Sequence, residues 1–416
     1  MFTPQDLKSS CGSQEALTPR RSRPQELQIS ESPTGRIPKR QRAAALQAAD
    51  APFRSAGIAA RFWSTAALCR CRDKRKSIVA RPNRWPWAVL LSAVLVLAGC
   101  VSPHSGEFLQ RHEYHSDHMG TLFSITLYAP TPGQAQAAAQ AAFERINALE
   151  EILSDYRADS ELNLLREKPL GVPVSVSPDL FEVLSQGQRI SRLSGGAFDV
   201  TIGPYVRLWR FARKRHVKST AEEMSQARSE VGWQHLVLDS EHRTVTMLVP
   251  GMRLDVGGIA KGFAADEAMK ILRGRGCFRA LVAASGDFAI GDPPPGRRGW
   301  RIAATEIDSG TNLATKVFIL RNAGVSTSGD TEQFIELEGV RYSHIMDPAT
   351  GLGLTRRIQA TVIASCATDS DALATTVCIL GPKKGIQLID RLPTTATLII
   401  TKDHSEERQF RSRRWP

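Results

Sequence analysis

Apolar positions alternate along Met119-Gly-Thr-Leu-Phe-Ser-Ile-Thr-Leu-Tyr128, as a strand with one buried face requires, and Pro130 to Gly133 break the run. Ala139, Ala142, Phe143, Ile146, Leu149 and Leu153 then recur at helical spacing, predicting a long amphipathic helix that delivers Tyr156 near its end. Ser177-Pro178 has the form of an N-cap followed by proline in the first turn, and the helix it starts should end at Gly195-Gly196. His235–Asp239 and Thr244–Leu248 predict a hairpin. Leu254-Asp255-Val256 runs into Gly257-Gly258, after which Ala260, Ala264, Ala268, Ile271 and Leu272 share one helical face, so a strand, glycine turn and helix are expected. Further strands are predicted at 280–283, 301–304, 317–320, 333–337, 360–364 and 396–401. Thr368 or Asp369 should cap a last long helix, which Gly381-Pro382 stops. Runs of strands interrupted by a few long helices define an α+β class rather than regular βαβ winding.

Composition changes this picture at the N-terminus. The net charge of +12 invites a nucleic-acid reading, but residues 1–100 hold 17 basic and 6 acidic residues, leaving 37 against 36 in the rest. The exported part is therefore nearly neutral, and nucleic-acid binding loses its support. Arg81 and Arg84 precede an uncharged run, Trp85 to Cys100, too short to span a membrane comfortably and built like a secretory signal. Its ending, Leu97-Ala98-Gly99-Cys100, resembles a bacterial lipobox, so Cys100 is expected to carry the lipid that anchors an exported protein to a membrane facing the periplasm. Residues 1–78 have the composition of a disordered extension or of a start codon placed too far upstream, with Val79 as an alternative start. The expected layout is 1–78 extension, 79–100 signal, 101–114 tether, 115–402 globular domain and 403–416 a polar basic tail. Beyond the leader only Cys277, Cys366 and Cys378 remain, without CxxC spacing, which indicates neither a zinc site nor a disulfide framework.

Five stretches carry candidate chemistry. Asp371 and Thr375 are four apart on the last helix and share a face; a carboxylate and a hydroxyl so placed suit a hard ion such as Mg²⁺, though by themselves they better suit a dipole-complementing aspartate and a threonine bonded to the preceding turn. Asp255-Val-Gly-Gly-Ile-Ala-Lys261-Gly262 puts glycines and a lysine at a helix start, where exposed amides favour anions. It is neither a Rossmann fingerprint nor a Walker loop. Ser285-Gly286-Asp287 and Ser328-Gly329-Asp330 follow apolar segments and read as tight turns or as the lining of a planar ligand. Arg341-Tyr-Ser-His344-Ile-Met-Asp347-Pro-Ala-Thr-Gly351 reads as a strand entering a turn shaped by Asp347-Pro348 and Gly351, with His344 at its lip.

Taken in order, MGT, LSDYRADSELNLL, SGGAFDVTIGP, LDVGGIAKGFAAD, SGD, VSTSGD, YSHIMDPATG and DSDALATTVCILGP closely resemble the ApbE family of exported FAD:protein FMN transferases, over Met119 to Leu392. The resemblance implies a T-fold-related α+β architecture, FAD bound in a deep cleft, Mg²⁺, and transfer of FMN to a threonine or serine hydroxyl of an acceptor through a phosphoester, with release of AMP. It implies acceptors among subunits of membrane electron-transfer complexes that carry a Ser/Thr-Gly-Ala-Thr motif. Carried over motif by motif, it puts Met119, Tyr156, Ala197, Phe198, Asp199, Asp255, Lys261 and Ile345 on FAD, the metal between the Gly258 carbonyl, Asp371 and Thr375, and His344 at the transfer step. Where many members have an Asn and a Gly-Gly-Asp, this chain reads Ala283-Ala284-Ser285-Gly286-Asp287. Two other activities fit the same residues: a Mg²⁺-dependent FAD pyrophosphatase, and a non-catalytic flavin-binding lipoprotein.

Overall fold

Two nine-residue strands, β1 (Gln110–His118) and β2 (Thr121–Ala129), pair antiparallel around Met119-Gly120, whose φ angles of 50° and 70° are both left-handed. Such a two-residue turn matches the twist of its strands. The computed structural model describes residues 108–305, 315–329, 333–403 and 406–416, all within one compact unit. The leader, its lipobox and Cys100 lie outside the described residues. Two sequence expectations are corrected at this hairpin. Met119 stands in the turn rather than in a strand, and the tether expected to reach Tyr114 gives way to β1 at Gln110.

The chain continues through α1 (Pro132–Leu153), α2 (Glu161–Leu164), β3 (Val174–Ser175), α3 (Pro178–Ser194), α4 (Gly203–Arg215), α5 (Ala221–Glu230), β4 (Leu236–Asp239), β5 (Thr244–Met247) and α6 (Ala260–Gly274). Then come β6 (Ala280–Ala284), β7 (Asp287–Ile290), β8 (Trp300–Thr305), β9 (Thr315–Leu320), β10 (Ala323–Gly329), β11 (Phe334–Leu337), β12 (Val340–Ser343), β13 (Met346–Asp347) and β14 (Leu352–Gly353). β15 (Arg357–Ala364), α7 (Ala367–Arg391), β16 (Ala396–Asp403) and β17 (Glu406–Arg411) complete it. Ser177 caps α3 by accepting from the Leu180 N–H at 3.2 Å, and Gly195 ends it at φ 65°, as its sequence predicts. The stop expected at Gly381-Pro382 is a break inside α7, where Gly381 has φ 72° and ψ 179°.

Eight strands form one sheet in the order β1-β2-β6-β7-β10-β15-β16-β17, every neighbouring pair antiparallel. On one face Phe123, Ile125 and Leu127 of β2 and Val282 of β6 share a core with Ile146 of α1, Leu272 of α6 and Leu373 and Val377 of α7. On the other, Leu281, Ile290 and Val325 meet Trp300 and Ile302 of the β8–β9 hairpin. This confirms the α+β class. The last strand is a further correction: the expected polar tail contains β17, and Trp415 packs with Leu398 and Ile400 and meets Phe318 edge-on at 5.0 Å.

Strand β10 lies in the middle of the sheet yet has no apolar alternation. Gly324, Ser326 and Ser328 lie beneath α7. A Cβ at Gly324 would overlap the Cys366 carbonyl, Ser326 Oγ lies 2.8 Å from Ser370 Oγ, and Ser328 Oγ lies 3.2 Å from Thr375 Oγ1. Small residues let the helix sit close on the sheet and leave hydroxyls, not methyls, between them. The tight turn expected at Ser328-Gly329 is therefore the end of a strand, and Asp330 lies outside the described residues.

Candidate active site at the start of helix α6

Asp255 does not stand in a strand, as its apolar neighbours predicted, but in an irregular segment. Its N–H donates to the Val200 carbonyl at 2.8 Å, and its carboxylate accepts the Gly257 N–H at 2.8 Å. Two residues into α6, Lys261 reaches the carboxylate of Asp287, the first residue of β7, and stands 3.6 Å from Asp371 on α7. Burial alone would lower the lysine's pKa, but the two carboxylates outweigh it and the value is raised. Asp371, 2% exposed, is pushed up to about 7, first by burial and then by Asp287. Two carboxylates share one ammonium group, so the cluster lacks one positive charge.

Helices α6 and α7 cap each other. Asp371 accepts the Gly262 N–H at 2.9 Å in the first turn of α6, and Asp266 of α6 accepts the N–H groups of Ala367 and Thr368 at 3.0 and 2.8 Å and the Thr368 hydroxyl at 2.6 Å. This corrects the expected cap: α7 begins at Ala367 without a side-chain cap of its own, because Asp266 supplies one from outside. The approach demands glycine at 262, where a Cβ would lie 2.7 Å from the carbonyl carbon of Ala367 and 2.8 Å from Asp371 Cβ.

Thr375 is one turn beyond Asp371, and a Cβ on Gly258 would lie 3.5 Å from its hydroxyl and 3.1 Å from the Phe198 ring. Gly258, Lys261, Asp371 and Thr375 are thus brought together, with Phe198 against them. Among the described residues no cluster of three or more His, Cys, Asp or Glu could hold a metal. What the site offers is two buried carboxylates, Asp287 and Asp371, and the Thr375 hydroxyl, with one ammonium group between the carboxylates. That donor set fits a hard, oxygen-preferring ion such as Mg²⁺.

The remaining predicted residues have distinct settings. Asp199 is buried with both oxygens engaged, accepting from the Thr201 N–H at 2.8 Å, the Thr201 hydroxyl at 2.7 Å and the Trp233 N–H at 3.0 Å, so its carboxylate fixes the loop that carries half-buried Ala197 and buried Phe198. Tyr156 is 80% exposed, and the Arg210 guanidinium lies 3.9 Å from its ring centre. Arg210 also pairs with Asp155 and stands 3.7 Å from Asp255, whose carboxyl is raised to about 6, first by burial and then by Asp155. Asp155 and Arg210 are residues that sequence reasoning did not bring into the site, and Asp287, read there as part of a turn or of a planar ligand's lining, is the partner of Lys261. Asp155 and Asp287 lay inside quoted motifs, whereas Arg210, one of many arginines on its helix, gave no signal. Met119 donates its N–H to Glu150 at 2.9 Å.

His344 sits in the loop after β12, its N–H and Nδ1 each 3.1 Å from the Gln333 carbonyl, and Ile345 beside it is buried in the helix-side core. Asp347 accepts the Ala349 N–H at 2.9 Å on its carboxylate and the Gly351 N–H at 2.8 Å on its carbonyl, and Gly351 has φ 73°. The turn therefore has the form its sequence predicts. Residues 330–332, between this region and Ser328, lie outside the described ones. A cavity of about 820 Å³ elsewhere, lined by Asp266, Met269, Lys270 and Arg273 among others, contains none of the predicted site residues.

An α+β domain that gathers a glycine loop, a buried lysine and oxygen donors at one helix start has the groups that receive an anionic ligand. Residues 119–399 match the model of the ApbE family, and the chain belongs to that family. It is similar to the FAD:protein FMN transferase of Vibrio cholerae serotype O1, 31% identical over 324 residues that cover 76% of this chain and 94% of that one. It is also 31% identical to the FAD:protein FMN transferase of Treponema pallidum over 300 residues, 68% of this chain and 83% of the relative. The solved flavin transferase ApbE from Vibrio cholerae superposes with a TM-score of 0.67 at 27% identity, covering 73% of this chain and 98% of that one. The apo flavinyl transferase ApbE of Pseudomonas stutzeri gives a TM-score of 0.65 at 28% identity, covering 73% and 95%.

Proposed function

We propose that this chain is a transferase that moves FMN from FAD to a threonine or serine hydroxyl of an acceptor protein, dependent on Mg²⁺ and releasing AMP. The observation that carries the reading is the meeting of Gly258, Lys261, Asp371 and Thr375 beside Asp287 at the start of α6, in a chain of this family. The acceptor oxygen forms a bond to the FMN-side phosphorus, the bond from that phosphorus to the AMP oxygen breaks, and the hydroxyl proton passes to His344 as general base. Asp371, Thr375 and the Gly258 carbonyl would hold Mg²⁺, which neutralises charge on the pyrophosphate. Lys261 keeps Asp287 and Asp371 apposed and adds positive charge where AMP departs. Met119, Tyr156, Ala197, Phe198, Asp199, Asp255 and Ile345 flank the flavin nucleotide, with Asp199 acting through its loop. The domain works outside the cytoplasm, held to a membrane through Cys100.

The test incubates the exported domain with FAD, Mg²⁺ and an acceptor carrying the Ser/Thr-Gly-Ala-Thr motif and follows acceptor mass. A gain of one FMN, abolished by His344→Ala and by Asp371→Ala with folding intact, is expected. Free FMN and AMP with an unmodified acceptor would instead make the protein a pyrophosphatase.

A further inference from the structure

We infer that the exposed face of α4 is a docking surface for an acidic segment of the protein that accepts the flavin, an inference that rests on the transferase reading above. From Gly203 to Lys218 the chain has six lysines and arginines and no acidic residue, in an exported part whose charges as a whole nearly cancel. Two of these cations are spent internally: Arg210 on Asp155 and Asp255, and Lys218 on Glu338 at 2.5 Å. Among the described residues, none of Arg207, Arg213, Lys214 and Arg215 pairs with a carboxylate, and all four are exposed. Apolar groups stand exposed among them, Phe211 at 46% and Val217 at 60%, with the Arg215 guanidinium 4.3 Å from the Phe211 ring centre. Apolar groups are exposed singly elsewhere on this domain; here they interleave with unpaired cations, as on surfaces that desolvate against a protein.

The buried side of the same helix fixes where this face lies. Tyr205 and Leu208 pack with Met346, and Ala212 packs with Ile335 and Leu337 of β11, so α4 braces the chain on both sides of His344. Arg210 covers Tyr156. The helix is a wall shared by the flavin-side residues and the histidine loop, and its outer surface flanks the path by which a hydroxyl-bearing segment approaches.

An anionic membrane would also suit basic residues interleaved with Phe211 and Val217, but chain geometry favours a protein. The chain enters the domain at Gln110, opposite Ala129 and three residues from the start of α1, whereas Tyr156 follows the far end of that 22-residue helix, about 33 Å away at 1.5 Å per residue. An anchor upstream of Gln110 therefore holds the end of the domain remote from α4. Charge complementarity assigns the occupant as acidic.

The test uses two fluorescein-labelled peptides with the same acceptor motif, one flanked by glutamates and one by lysines, and the exported domain with or without Arg213→Glu, Lys214→Glu and Arg215→Glu together. By anisotropy at low salt, the wild-type domain should bind the glutamate-flanked peptide at least about tenfold more tightly, a preference that fades near 0.5 M NaCl and reverses in the triple variant while FAD affinity is unchanged. Equal binding of the two peptides, or the same preference in wild type and variant, overturns the inference. So does a triple variant that loses binding to phosphatidylglycerol vesicles but treats the peptides as the wild type does. Differential binding without covalent labelling would leave the docking surface standing and sink the transferase reading, so the two failures are separable.

Discussion

Replacing Gly262 by alanine sets two effects of known size against each other. Alanine is a better helix former than glycine by about 1 kcal/mol, so propensity alone predicts a more stable protein. The new Cβ, however, would stand 2.7 Å from the Ala367 carbonyl carbon and 2.8 Å from Asp371 Cβ, where carbon atoms normally approach to about 3.5–4.0 Å. The start of α7 must therefore retreat by roughly 1 Å, which stretches the 2.9 Å bond from Gly262 N–H to Asp371 beyond hydrogen-bonding range. Overpacking costs about 1–3 kcal/mol and loss of a hydrogen bond to a charged group about 1.5–3 kcal/mol. The net expectation is a loss of roughly 2–4 kcal/mol, lowering Tm by about 3–6 °C for a domain of this size, with weakened Mg²⁺ binding because Asp371 moves away from Thr375. Gly274→Ala at the other end of α6 is the control, since no atom lies within 4 Å of a Cβ there. It should melt at or slightly above the wild-type temperature. Calorimetric melting of both variants decides, and a Gly262→Ala protein as stable as the control would refute the close-contact argument.

Ser285 takes a left-handed φ of 57°, so Ser285→Gly should stabilise the domain by about 1 kcal/mol in denaturant unfolding, and a loss of stability would show that its side chain matters more than its backbone. Asp266→Ala removes three bonds to the start of α7 and should cost about 2 kcal/mol or more, with hydrogen exchange accelerated first at the amides of residues 367–371; unaltered exchange there would contradict the cap. Asp371, raised to about 7 by burial and Asp287, favours its protonated form in the metal-free fold. That fold therefore loses stability as pH climbs from about 4 through 7, while Mg²⁺ affinity rises by up to about tenfold per pH unit over the upper part of that range and then levels off. Calorimetric Mg²⁺ titrations giving one affinity from about pH 5.5 to pH 8 would exclude Asp371 as the titrating ligand.

Elements whose apolar residues keep a period were legible: α1, α6, the β4–β5 hairpin and half the strands of the sheet, β2, β6, β15 and β16. Strand β10 was not, because its helix-facing positions are glycine and serine, chosen for closeness and hydroxyl contacts. Helix α4 was not predicted; Pro204 occupies its first turn, where a missing N–H is harmless. Helix α5 left a readable sign in the capping box of Thr220 and Glu223. At the site, the residue types were legible but their partners were not. That Lys261 is locked by Asp287 and Asp371, and that Asp199 has no free oxygen, depends on contacts between segments 26 to 110 residues apart or on loop geometry that spacing does not encode.

The two segments whose polarity made them look like a tether and a tail are the outer strands of the eight-stranded sheet. β1 reads QRHEYHSDH and β17 reads EERQFR, while the strand behind β17 is ATLIITKD, with Leu398, Ile399 and Ile400 buried. An open row of backbone amides beside Leu-Ile-Ile would recruit strands from other molecules, and charged outer strands discourage that. Trimming the chain after Asp403 as though the remainder were dispensable would bare this edge. The expected consequence is self-association through the sheet, seen as aggregation on expression, before any loss at the flavin-handling end of the domain.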